Sequence, residues 1–146
     1  MKKLIFILVV AFGSACQDIE NCDTNDEWGF MFVQFLDKET NDAKPVRFTV
    51  FADDLTAFVP DTSYTSLGLH LNPNAESVVF RFDSVGTAIT FEMEISYETQ
   101  FSIFDDDCDP SLTFVNLDTV RYTFDSLSIP TQITNRLIDT NVQVFF

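Results

Sequence analysis

The sequence predicts an all-β fold, an antiparallel β-sandwich of about seven to eight strands in one domain. Three observations lead there. Apolar and polar residues alternate with a period of two in segment after segment from Phe30 to Phe146, the pattern of strands with one buried and one solvated face. No long stretch carries the 3.6-residue period of an amphipathic helix, and only Thr131–Ile138 suits a helical turn or two. Seventeen phenylalanines supply enough bulky apolar side chain to fill the space between two sheets.

The strands are read in order. Phe30–Leu36 (FMFVQFL) is an apolar run of strand length, and Asp37–Lys44 (DKETNDAK) is a turn. Val46, Phe48, Val50 and Ala52 then alternate with Arg47, Thr49 and Phe51, and Asp53–Thr65 reads mostly as loop. Leu67, Leu69 and Leu71 alternate with Gly68 and His70, and Asn72-Pro73-Asn74 is a turn signal. Val78, Phe80 and Phe82 make the next strand. Ile89, Phe91, Met93, Ile95 and Tyr97 make the clearest one, with Thr90, Glu92, Glu94 and Ser96 on its other face. Leu112 and Phe114 follow an acidic loop, then Val120, Tyr122 and Phe124, and last Val142, Val144 and Phe146. A transmembrane barrel would place apolar residues outward and polar ones inside. Strands this short and so rich in Phe fit a filled core instead.

The N-terminus has a different character. Lys2 and Lys3 precede nine apolar residues, Leu4–Phe12, then small Gly13, Ser14 and Ala15, then Cys16. Charge, apolar run and small residues in that order make a secretory signal over residues 1–15. The run is far short of the ~20 residues of a membrane span. The segment resembles a bacterial lipobox, with Gly13 where a branched apolar residue is usual. That resemblance implies a diacylglycerol thioether and an N-acyl chain on Cys16, and more than one chain makes a stable anchor. Residues 16–28 then form an acidic tether and residues 29–146 the β-sandwich domain.

Removing residues 1–15 leaves 131 of the 146 residues, with six basic groups against 23 acidic ones, a net charge of −17. Nucleic acid is therefore excluded as a partner, since its phosphates demand clustered Lys and Arg. Electrostatic adhesion to anionic headgroups is disfavoured for the same reason.

Little in the chain points to catalysis. His70 is the single histidine and projects opposite the leucines of its strand, so it reads as a surface residue. Nucleophile-elbow, phosphate-loop and zinc-protease motifs are absent. Glu92 and Glu94 share a strand face, about 7 Å apart by strand geometry, and are the best carboxylate pair for acid–base chemistry. Asp105, Asp107 and Asp109 offer oxygen ligands of the kind Ca²⁺ takes. Pro110 stands where a calcium loop needs Gly and Asn116 where it needs a closing Glu, so a solvated acidic turn is expected and no metal or other cofactor.

Several features recur in one order: the lipobox cysteine, a cysteine six residues later, FMFVQFLD, LHLNPNAESVVFRF, ITFEMEISYETQFS before a third cysteine, and the ending NVQVFF. Together they resemble a family of small uncharacterised lipoproteins of the Bacteroidota (DUF6452-like), over nearly the whole mature chain. In that family Gly and an aromatic follow the third cysteine, where this chain has Asp109 and Pro110. The resemblance implies an outer-membrane lipoprotein and brings no activity. Asp83-Ser84-Val85, Asp118-Thr119-Val120 and Asp125-Ser126-Leu127 are similar to O-glycosylation sites of that phylum, which makes Ser84, Thr119 and Ser126 candidates.

With Cys16 lipidated, Cys22 and Cys108 remain as an even pair in an oxidising compartment, and a disulfide between them is expected over two free thiols. It would close a loop of about 85 residues, for about 4–5 kcal/mol at most. The expected function is that of a non-enzymatic outer-membrane lipoprotein, an accessory subunit or binding module with an envelope protein as partner, on the periplasmic or cell-surface side. The alternative is a small hydrolase using paired carboxylates.

Overall fold

The computed structural model describes residues 29–102, 111–134 and 140–146. They form nine strands: β1 Phe30–Leu36, β2 Phe48–Ala52, β3 Leu55–Phe58, β4 Ser66–His70, β5 Ser77–Ser84, β6 Thr90–Ser102, β7 Ser111–Tyr122, β8 Ser126–Ser128 and β9 Val142–Phe145. A four-stranded sheet in the order β4-β1-β9-β8 faces a five-stranded sheet in the order β3-β2-β5-β6-β7. The architecture is a β-sandwich, as the alternation predicts. Among the described residues no helix is long and apolar enough to cross a membrane.

Both sheets turn their apolar rows inward. Met31, Val33, Phe35, Val142 and Val144 of one meet Val50, Phe80, Phe82, Met93 and Ile95 of the other, all fully buried. Phenylalanine dominates one end of this core. The Phe35 ring lies 5.8 Å from Phe48, 6.1 Å from Phe82 and 6.1 Å from Phe146, and Phe91 stacks on Phe124 at 4.8 Å. Tilted and edge-on pairs at such spacings suit the ring quadrupoles.

The strand inventory differs from the expectation of seven or eight in three places. Asp53–Thr65 contains β3, joined to β2 by a two-residue hairpin in which Asp53 and Asp54 take φ of 47° and 66°. Paired positive φ is the geometry of a type I′ turn. Aspartate tolerates it, but Asp-Asp is a weak turn signal. Second, Ser126–Ser128 forms a short β8 opposite β9. Third, the two strands read around Leu112 and Val120 are one strand, β7. Its register with β6 shifts twice, skipping Asn116 and Val120, and Asn116 has φ 55°. Two bulges reverse the alternation and then restore it. Phe114 and Leu117 are therefore both fully buried, whereas Val120, expected inside, is 58% exposed.

The antiparallel expectation needs one qualification. The sheets are not wholly antiparallel: β1 and β9 run parallel, with Val33 beside Val142 and Phe35 beside Val144. Strand direction leaves no mark on a period of two. Of Thr131–Ile138, the segment suited to a helical turn or two, residues 131–134 run along the β7 edge, where Leu117 N donates to Gln132 O and Thr134 N to Phe114 O, and residues 135–138 lie outside the described residues.

Asn141 secures the start of β9. It is 2% exposed. Its Oδ1 accepts from Phe32 N at 2.9 Å, and its Nδ2 donates to Ile133 O at 3.0 Å and Thr131 O at 3.3 Å. One buried amide thus ties β1, β9 and the preceding segment, as a satisfied buried polar group must.

Candidate functional site

An open groove of about 780 Å³ lies on the five-stranded sheet. Its rim is the turn Pro73-Asn74-Ala75-Glu76 between β4 and β5, and its floor is Ser96–Thr99 of β6 with Asn116 of β7. Local sequence explains each part. Asn72 Oδ1 accepts from Asn74 N at 3.0 Å, a side-chain turn that proline at the next position favours. The Asn116 bulge brings an amide-bearing residue against the middle of β6.

The floor is tied to the rim. Tyr97 Oη donates to Asn72 O at 3.0 Å and accepts from Asn72 N at 3.2 Å. Burial raises the pKa of this phenol, against the lowering effect of its bond to Asn72. Thr99 Oγ1 donates to Pro73 O at 3.1 Å, and Tyr97 N to Glu76 O at 2.9 Å. Hydroxyls and amides dominate the lining, to which Glu76 and Glu98 add carboxylates. Such a surface suits hydrogen bonding to a polar ligand. Among the described residues, no sulfur, imidazole or basic side chain is part of the lining.

The carboxylate pair is placed elsewhere. Glu94 Oε2 accepts from Arg121 Nε at 2.7 Å. Glu92 lies beside Arg81 in the β5–β6 register, and Arg81 pairs with Asp54 at 2.7 Å and Asp83 at 3.4 Å, over the Phe51 ring. Guanidinium groups thus punctuate this face, and neither glutamate lines the groove. His70 is exposed on β4, with its ring centroid 3.9 Å from that of Phe30, opposite which it sits in the β1–β4 register.

The three candidate glycosylation residues lie on strands. Ser84 ends β5 and Ser126 begins β8. Thr119 is inside β7, opposite Ile95 and half-buried. Cys16, Cys22 and Cys108, with the lipidation and the disulfide they were expected to carry, lie outside the described residues, as do Asp105, Asp107 and Asp109. Among the described residues, no group of three or more His, Cys, Asp or Glu is placed to hold a metal ion.

Sequence reasoning identified the Asn72-Pro73-Asn74 turn and missed the groove it borders. The missing signal was the phase change at Asn116, where the apolar rhythm Leu112, Phe114 moves to Leu117. No family model matches the chain, and neither a curated protein nor a solved structure was found to be similar to it.

Proposed function

We propose that this chain is a non-enzymatic lipoprotein of the outer membrane, whose sandwich acts as an accessory subunit or binding module of an envelope assembly. The order of residues before and at Cys16 supports the anchor, and two acyl chains there make attachment stable. The kinship with small Bacteroidota lipoproteins belongs to the same proposal. The observation that carries binding over catalysis is the engagement of the best carboxylate: Glu94 is held by Arg121 at 2.7 Å. The guanidinium occupies the carboxylate oxygen that a substrate would otherwise meet. The groove supports a binding role, because its hydroxyls and amides offer hydrogen bonds to a polar ligand. Function on a sandwich resides in its loops and grooves.

The test begins with Cys16→Ser, which should release the protein from washed membranes or stall its precursor. Quantitative membrane retention of that variant would sink the anchor. Crosslinking and mass spectrometry from the native outer membrane should then join the wild-type chain to an envelope protein.

A further inference from the structure

A sandwich of two open sheets has four edge strands, and an edge strand invites pairing unless something blocks it. Three of the four here are blocked. β3 is four residues long, pairs with β2 through a register shift and follows an acidic turn, Asp53-Asp54. β8 has three residues, between Asp125 and Pro130. β7 carries two bulges and bonds to Gln132 and Thr134. β4 has none of these devices. Its five residues, Ser-Leu-Gly-Leu-His, pair with β1 in an unbroken register from Phe30–His70 to Gln34–Ser66. It contains no proline, lysine or carboxylate, and among the described residues no strand pairs with its outer edge.

The face beside this edge has the matching property. The outward positions of β4, β1, β9 and β8 include Phe30, Phe32, Gln34, Gly68, Gln143 and Phe145, and none is Asp, Glu, Lys or Arg. The outer face of the other sheet bears Arg81, Asp83, Glu92, Glu94 and Arg121. For a chain of net charge −15, two copies repel wherever acidic surfaces meet. Among the described residues, β4 and the strand beside it carry no acidic side chain to add to that repulsion.

We propose that β4 is the seam of a homodimer, in which Ser66–His70 of two copies pair antiparallel about Gly68. The segment is self-complementary in that register. Gly68 meets the partner's Gly68, Leu67 meets the partner's Leu69, and the Ser66 hydroxyl lies across from the partner's His70. Glycine at the centre has a local reason too. A Cβ there would sit 3.2 Å from Phe30 Cδ1 and 3.3 Å from Phe32 Cε1, so both rings lean over β4, toward the seam. Pairing joins the two four-stranded sheets into one continuous sheet with an uncharged outer face. A five-residue strand spans about 17 Å, and its seam buries less than the ~800 Å² per partner of a standard interface. The dimer is therefore concentration-dependent. It does not depend on how the chain is anchored.

A double variant, Ser66→Cys with His70→Cys, tests the register in the full chain as isolated from expressing cells. The two positions lie about 13 Å apart along one strand, too far to bridge within a chain. Across the proposed seam each faces the other. Mild oxidation of the double variant should give a covalent dimer several-fold above the wild-type background, and either single variant only background. A single variant that crosslinks as well as the double, or a double variant that stays at background, overturns the seam. Sedimentation equilibrium is the second measurement. The wild-type mass should rise toward twice the chain mass with concentration, whereas Ser66→Lys should stay monomeric. A wild type monomeric throughout, or a Ser66→Lys variant that associates equally, overturns it as well.

Discussion

Truncating Asn141 to alanine should destabilise the domain by about 2–4 kcal/mol. The side chain serves three backbone groups, Phe32 N, Thr131 O and Ile133 O, at 2.9, 3.3 and 3.0 Å. Each loses its partner at a position that is 2% exposed. A net hydrogen bond contributes about 1 kcal/mol and an orphaned buried group costs about 1–3 kcal/mol. The longer bond to Thr131 and partial access of water to the segment keep the total toward the lower end. Against a typical stability of about 5–15 kcal/mol, urea unfolding should show a clearly lower midpoint at unchanged m. Asn141→Asp sharpens the test. It retains the acceptor for Phe32 N but turns a carboxylate toward two carbonyl oxygens, which raises its folded-state pKa above the unfolded value near ~3.9. The folded chain then holds a proton that the unfolded chain has released. By linkage the penalty grows as pH rises above about 4 and levels off above the folded-state pKa. A loss under about 1 kcal/mol for Asn141→Ala, or an Asn141→Asp deficit that shrinks with rising pH, would refute this role.

Two more outcomes follow from the core. Phe35→Ala removes a fully buried ring that touches both sheets and should cost about 3–5 kcal/mol in chemical unfolding, whereas Phe101→Ala, at a 71% exposed position, should stay within about 0.5 kcal/mol. Tyr64, whose pKa burial pushes up to about 12, donates to Phe48 O at 2.9 Å. Its neutral form is favoured by the fold, so its contribution is complete below about pH 10, the pKa of an unfolded tyrosine, and lost as pH climbs through the folded-state value. Ultraviolet titration should find a phenol ionising near pH 12 that Tyr64→Phe removes, at a cost of about 1 kcal/mol.

Legibility followed the physics of alternation. Met93, Ile95 and Tyr97 read as one buried row because β6 is regular there, and Phe30–Leu36 read as a strand because a buried run of seven has few other uses. The same reasoning failed at Val120, where a bulge reverses the phase, and at β3, whose residues are largely exposed and so carry no alternation to read. The groove escaped notice because its parts are backbone-tied polar residues from three elements, unremarkable one by one. His70 was correctly read as exposed, yet its contact with the Phe30 ring depends on the β1–β4 register.

What the sequence alone determined is the content of each layer along the regular strands: which residues face inward there, that strands carry them, and that the chain as a whole is strongly acidic. These follow from period and composition, which are local properties. Which strands become neighbours was decided only in the tertiary structure. The parallel β1–β9 pair, the amide of Asn141 between them, and the place of β4 at the edge of its sheet among the described residues all depend on residues far apart in the chain. A period of two reports burial, and burial is indifferent to partner and to direction.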